Sequence, residues 1–402
     1  MSKLTIAEKV ASDMKSGSWI REMFEKGRRL KAELGAENVH DFSLGNPNEP
    51  PPDAFFQALQ AVAADRQPAL HGYMPNVGFD ESRAAVAKFV SHEYRMEVEP
   101  GAVILTTGAA GGMNMVMRTI CDPGDEVLVL APFFVEYKFY IEQAGGKMVL
   151  VQTDEKFQPD LNAIEAAITP RTRAIIINTP NNPTGAVYTE EKCRGLADLL
   201  KRHDDDEHPI YIATDDPYRR IIFDLDWCPT PAKHYDRTII VSSYSKDLSI
   251  AGERAGYVAL PKALPHRDMI FAAMAMLNRT LGYVNMPAFM QRVVARCAEA
   301  LCDVDFYRQN RDLLCHALLE YGYELTMPGG ALYTFPKTPL DDVEFVNILM
   351  KHNILTVPGR GFGRPGHMRV SYCVDRETIK RALPGFKAAI EEARNQLSPV
   401  PR

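Results

Sequence analysis

Between residues 102 and 259 the chain alternates short apolar runs with amphipathic stretches, and this alternation limits the possible folds more than any other feature. The runs lie at 102–106, 126–130, 148–151, 174–178, 210–214, 238–241 and 255–259, and helical patterns occupy 110–121, 134–144, 161–167 and 190–201. Runs such as Ala174-Ile175-Ile176-Ile177 are apolar at every position. A strand with one face in water shows alternation instead, so these strands are expected to be covered on both faces. Strand and helix in alternation predict an α/β domain: a mostly parallel seven-stranded sheet between helices.

After about residue 285 the pattern changes. A long helical stretch (287–321) precedes short strands at 324–327 and 332–335, then a helix, two more strands and a final helix at 376–396. This predicts a smaller α+β domain, completed by the N-terminal fifty residues. The prolines of NPNEPPPD (46–53) forbid helix and suit a connection. The expected division is therefore an N-terminal segment 1–50, a large domain 51–285 and a small domain 286–402.

Charge narrows the partners. With 46 basic and 52 acidic residues among 402, the net charge of −6 gives no case for nucleic acid or an anionic membrane surface. No run is apolar and long enough to span a bilayer, and the start lacks the apolar core of a signal peptide. Seven scattered cysteines without a C-x-x-C pair read as reduced thiols in a cytoplasmic protein. HDDDEH (203–208) lacks metalloprotease spacing and reads as a solvated loop, so no metal is expected.

Ligands of parallel sheets bind beyond the carboxyl ends of the strands, and here four such ends carry polar groups. TTGAAGGMN (106–114) is a Gly-rich turn opening a helix, whose backbone N–H groups can cradle a phosphate. Ser243 and Arg254 could add donors to the same anion. Asp215 follows the apolar YIAT and needs a cationic partner, either a protonated ring nitrogen on a ligand or an internal arginine, to be ionised at that depth. Asn182 and Tyr218 can hydrogen-bond a phenolic oxygen. Lys246, at a strand end in SSYSK, could be an amine made nucleophilic toward an aldehyde. Each residue alone reads more readily as ordinary structure. Together they match the phosphate, ring nitrogen, ring hydroxyl and aldehyde of pyridoxal 5'-phosphate.

At this point the chain resembles the class I/II aminotransferases, the fold type I pyridoxal-phosphate enzymes, over nearly its whole length. NNPTG (181–185) resembles the family's Asn-Pro-x-Gly turn, DDPY (215–218) its Asp-x-x-Tyr motif and SYSK (243–246) its Ser-x-Ser-Lys. The resemblance implies a covalent internal aldimine at Lys246, Asp215 on the pyridinium nitrogen, and Asn182 and Tyr218 on the ring oxygen. Gly108, Ala109, Ala110, Ser243 and Arg254 would hold the phosphate, and Phe134 would stack on the ring. HMRVSY (367–372) resembles the strand carrying the arginine for the substrate's α-carboxylate, here Arg369, with Gly45 and Asn182 beside it. Tyr73 resembles the tyrosine that reaches the neighbouring subunit's phosphate, implying a homodimer. The second residue of the acidic pair is Asp216, where the family usually has Glu.

The implied activity is ping-pong transfer of an amino group from an L-amino acid to a 2-oxo acid, with Lys246 moving the Cα proton. A lyase, decarboxylase or synthase on the same cofactor is the alternative, because these enzymes share the cofactor residues. A nicotinamide-dependent oxidoreductase is a distant one. Its G-x-G-x-x-G at Gly361, Gly363 and Gly366 contains Pro365 and runs into a strand-like segment instead of opening a helix. Specificity is not legible. Thr280 stands where a second arginine would read a dicarboxylate, and Phe133, Phe134 and Tyr137 would suit a bulky side chain.

Overall fold

The structure, a computed structural model, describes residues 5–15, 19–68 and 70–397. The outermost ends of the expected N- and C-terminal segments, 1–4 and 398–402, lie outside the described residues. The chain forms two compact units. The larger comprises Asn46–Gln309 and Met327–Leu332, and the smaller comprises Met1–Gly45, Asn310–Thr326 and Tyr333–Arg402. The expected boundary at 285 and the unit boundary at 309 differ because helix Ala288–Cys297 buries Met290, Val293 and Val294 in the core of the larger unit.

The larger unit is built on seven strands: β1 Val103–Thr107, β2 Glu126–Ala131, β3 Lys147–Gln152, β4 Thr172–Ile177, β5 Tyr211–Asp215, β6 Thr238–Ser243 and β7 Ala255–Ala259. They form one sheet in the order β1-β7-β6-β5-β4-β2-β3. All neighbours are parallel except β7, which runs antiparallel between β1 and β6. The α/β sheet expected from the sequence is thus the observed one.

Side chains alternate between the faces, as strand geometry requires. Ile104, Val129, Ile176, Ala213, Val241 and Val258 pack under helices Gly108–Ile120 and Arg267–Thr280. On the opposite face Leu105, Ile240 and Tyr257 meet Asp80–Tyr94 and Ala288–Cys297, and Leu128, Ile175, Ile177 and Ile212 meet Glu190–His203. Each fully buried aliphatic side chain contributes about 1.5–3 kcal/mol. That is why all-apolar runs became central strands.

Strands Val357–Pro358, Met368–Ser371 and Tyr333–Thr334 form a three-stranded antiparallel sheet in the smaller unit, and helix Arg376–Leu397 closes the chain. Residues 324–327, expected as a strand, form no ladder; the Glu324 carbonyl accepts only a single bond from the Lys337 N–H. HDDDEH is a loop as expected, but not merely solvated. Asp204 and Asp206 accept from Arg237, which is 6% exposed. The G-x-G-x-x-G run begins in the 3-10 turn Gly359–Phe362 and leads into strand Met368–Ser371, so it opens no α-helix. All seven cysteines are outside disulfides. No helix among the described residues is long and apolar enough to cross a membrane.

Candidate active site

Strand direction assembles the polar turns. β1, β4, β5 and β6 are mutually parallel, so Thr107, Ile177, Asp215 and Ser243 end on one edge of the sheet. Because β7 runs the other way, it is its beginning that lies on this edge. Thr107 pairs with Ala255 and Ser243 with Gly256, which brings Arg254 beside Gly108.

An anion cradle results. Thr107, at the N-cap of helix Gly108–Ile120, makes no side-chain capping bond. The N–H groups of the first turn therefore keep their capacity for a ligand. The Thr107 Oγ1 is itself buried without a partner. A Cβ on Gly108 would stand 2.6 Å from the Arg254 Nη2, and one on Gly256 would run into the Gly108 backbone. Glycine at these two positions is what lets guanidinium and helix end come together. Arg254 is exposed, adopts a left-handed backbone (φ 56°) and donates to the Ala251 carbonyl at 2.9 Å. The Ser243 hydroxyl donates to the Ser245 Oγ at 3.0 Å.

Asp215 is the last residue of β5. Its Oδ2 accepts from the Tyr137 hydroxyl at 2.7 Å, while its Oδ1 is buried with no partner. Burial pushes its pKa up to about 7; the Tyr137 hydrogen bond opposes this and the Asp216 charge adds to it. A carboxylate with one oxygen satisfied and one bare is poised for a cationic ligand. The Asn178 Nδ2 donates to the Asp215 carbonyl at 2.5 Å, and its Oδ1 accepts from the Asn182 N–H at 2.7 Å, so one asparagine ties β5 to the NNPTG turn. The Lys246 Nζ stands over the Tyr218 ring, 5.6 Å from its centroid. Phe134 meets Tyr137 edge-on at 5.6 Å.

The larger unit thus gathers Gly108, Ala109, Ala110, Phe134, Asn182, Asp215, Tyr218, Ser243, Lys246 and Arg254 around one sheet edge. Tyr73 belongs to this unit too, and its side chain is fully exposed. Gly45 and Arg369 belong to the smaller unit. There Arg369, 2% exposed, donates from Nη2 to the Ser43 carbonyl at 2.6 Å. Its guanidinium lies 4.6 Å from the Tyr333 ring centroid and 4.9 Å from that of Phe362. A Cβ on Gly45 would run into the Tyr333 ring.

The donor set fits pyridoxal phosphate: an uncapped helix end with an arginine for the phosphate, a bare buried carboxylate oxygen for the ring nitrogen, and a lysine for the aldehyde. Two further residues shape the site. Tyr137, which the sequence offers for a bulky substrate side chain, is buried with its hydroxyl on Asp215. Tyr137 opens helix Tyr137–Gln143, and its local sequence carries no signal of that contact. Asn178 ends an apolar run and carried none.

Tyr137→Phe gives a direct test. A hydrogen bond to a charged group is worth about 1.5–3 kcal/mol, so its loss should raise the Asp215 pKa by about one to two units. The acid limb of kcat/KM then moves to higher pH. An unchanged profile would remove Tyr137 from the site.

Residues 37–386 match the family model of aminotransferase class I and II. A probable aspartate/prephenate aminotransferase of Thermus aquaticus is 35% identical over 79% of this chain and 84% of its own. Among solved structures, an amino transferase of Eubacterium rectale superposes with a TM-score of 0.93 at 38% identity, covering 97% of this chain and 99% of that one. The aspartate aminotransferase of Thermus thermophilus, solved with maleate, gives 0.85 at 28% identity over 96% and 100%.

Proposed function

The chain belongs to the aminotransferase class I and II family, and on that premise we propose how its own residues run the reaction. It is a pyridoxal-phosphate-dependent aminotransferase that moves amino groups between amino acids and 2-oxo acids. The lyase, decarboxylase and synthase readings are not favoured, since the similar proteins are named aminotransferases.

When bound, the cofactor supplies an aldehyde that condenses with amines and a ring that takes up electrons from the substrate's Cα. Lys246 would hold the cofactor covalently, and its amine would remove and return the proton at Cα. Asp215 would keep the ring nitrogen protonated, with its bare Oδ1 as the available acceptor. Asn182 and Tyr218 would hold the ring oxygen, and Phe134 would stack on the ring. The N–H groups of Gly108, Ala109 and Ala110, with Ser243 and Arg254, would hold the phosphate. Arg369 would grip the α-carboxylate as a bidentate pair, with Gly45 of the same unit beside it, and Asn182 would add a contact to the substrate. The observation that carries this reading is the bare Oδ1 of Asp215, buried on the sheet edge that also carries Lys246.

Arg369→Lys tests the clamp. A point charge cannot reproduce the two parallel hydrogen bonds, and the rings of Tyr333 and Phe362 match a planar guanidinium. We expect kcat/KM with amino acids to fall about 100-fold, a loss of about 2.7 kcal/mol, while the cofactor is retained. Undiminished turnover would place the clamp elsewhere. The amino acid and oxo acid are best identified by adding candidates singly and following loss of the cofactor's visible band. Aspartate and aromatic amino acids come first, because aspartate recurs in the relatives' names and one relative is an aromatic-amino-acid aminotransferase.

We further propose a cytoplasmic homodimer in which Tyr73 reaches the phosphate of the neighbouring subunit. The full exposure of that tyrosine on its own chain supports the reading. Sedimentation of the holoenzyme as a monomer would refute it.

A further inference from the structure

Behind the sheet edge, a second cluster of buried ionic groups plays no part in the mechanism above. Successive residues of a strand point to opposite faces. Asp215, at the end of β5, faces Tyr137, and the next residue, Asp216, faces helix Asp80–Tyr94, where its Oδ2 accepts from the Tyr94 hydroxyl at 2.8 Å. The Arg219 guanidinium lies 3.9 Å from the Tyr94 ring centroid and donates from Nη2 to the carbonyls of Glu93 and Cys228, each at 2.9 Å. Lys246 is followed by Asp247, which turns inward to the same place. There Arg220 stands between Asp247 Oδ2 at 3.8 Å and Glu93 Oε1 at 3.7 Å. Asp216, Arg219 and Asp247 are 2, 5 and 6% exposed, so water outside does not reach their charges.

Three observations converge on the space between them. Arg219 Nε and Nη1 are buried without partners, and Asp216 Oδ1 and Asp247 Oδ1 meet no donor in full hydrogen-bonding geometry, although the nearby Thr179, Thr214 and Leu248 donors favour their charged forms. The carboxylate–guanidinium separations around Arg220 are too long for direct hydrogen bonds. The groups line a cavity of about 10 Å³, also bounded by Ser242 and Tyr257. This is about the room one water molecule needs, and such sites are filled when several polar partners surround them. Burial raises the pKa of Asp216 to about 6 and that of Asp247 to about 7, while Arg219 and Arg220 respectively lower them.

The backbone links this cluster to the active face. The Asp216 N–H donates to the Val241 carbonyl at 3.0 Å, and the Ser242 hydroxyl donates to the Asp216 carbonyl at 2.9 Å. The Cys302 N–H donates to the Asp247 carbonyl at 2.7 Å, and Arg220 donates to the Ala300 and Glu299 carbonyls at 2.7 and 2.9 Å. Movement of either aspartate would move the peptide that presents Asp215 or Lys246.

We propose that this cavity holds one bound water joining Asp216 and Asp247 to Arg219, and that the two aspartates are positioning residues for Asp215 and Lys246. The water completes ion pairs that direct contact leaves open, so the two peptides are held in register from behind. The proposal rests on the reading of Asp215 and Lys246 as the cofactor residues.

Two measurements test it. A crystal structure of the holoenzyme, at a resolution that shows ordered solvent, should contain one water within hydrogen-bonding distance of Asp216 Oδ1 and Arg219. A dry cavity, or activity that requires one particular alkali cation in place of water, overturns the site. Tyr94→Phe removes one bond from Asp216 without stranding a charge, and Asp247→Asn removes one acceptor charge. For both we expect kcat of the holoenzyme to fall about tenfold with KM within about threefold, the signature of misplaced reacting groups. The pH titration of the cofactor band should also shift, which a purely structural role would not require. Asp216→Glu should retain kcat far better than Asp216→Asn. If Tyr94→Phe and Asp247→Asn both keep wild-type kcat and titration in an enzyme still dependent on Lys246, the positioning role fails. If Lys246→Ala keeps turnover, the underlying reading fails instead.

Discussion

Lys246→Ala is expected to lose transamination by about 10⁴-fold or more, the largest effect of any single substitution in this protein. One side chain is assigned two tasks, covalent retention of the cofactor and proton transfer at Cα, and alanine can do neither. The visible absorption of the covalently held cofactor should vanish with it. Rapid-scan spectra and single-turnover rates read the two losses separately. The lysine's surroundings make the prediction specific. It is half-buried over the Tyr218 ring, at the end of a strand whose neighbour presents Asp215. A variant turning over within tenfold of the parent would sink the assignment.

Asp215→Asn should be the second largest loss. Taking one partner from a buried ion pair costs about 3–5 kcal/mol, about two to nearly four orders of magnitude in cofactor affinity, and equilibrium dialysis measures it. The same carboxyl also leaves a mark on the ligand-free protein. Its folded pKa of about 7 lies above the value near 4 of an unfolded chain. Between those pH values the folded chain binds the extra proton, so stability falls as pH rises through this window. Asp216 and Asp247 are raised too and add to the same slope. In Asp215→Asn the fall in melting temperature from pH 4 to 7 should be shallower. An identical slope would mean that Asp215 does not carry the raised pKa.

Much of this was legible because it is local. Apolar runs such as Ala174-Ile175-Ile176-Ile177 need only their own composition to be read as two-sided strands. The residues in NNPTG, DDPY and SYSK advertise hydrogen bonding, charge and nucleophilicity through residue type alone. Less legible were features that arise between distant segments. Nothing around Tyr137 shows that its hydroxyl meets a carboxylate 78 positions later. The isolated acid pair Asp215-Asp216 gives no hint that the first serves the ligand and the second an arginine cluster.

By itself, then, the sequence determined the kind of sheet, the chemical handles and the cofactor they match, since periodicity and side-chain chemistry are properties of short segments. Only the tertiary structure decided how those handles meet. The antiparallel insertion of β7 carries Arg254 to Gly108. At the end of β5 the chain sends Asp215 and the next residue, Asp216, to opposite faces, toward Tyr137 and Tyr94. Strand order and facing are set by which distant surfaces bury one another, and that is a balance no single segment contains.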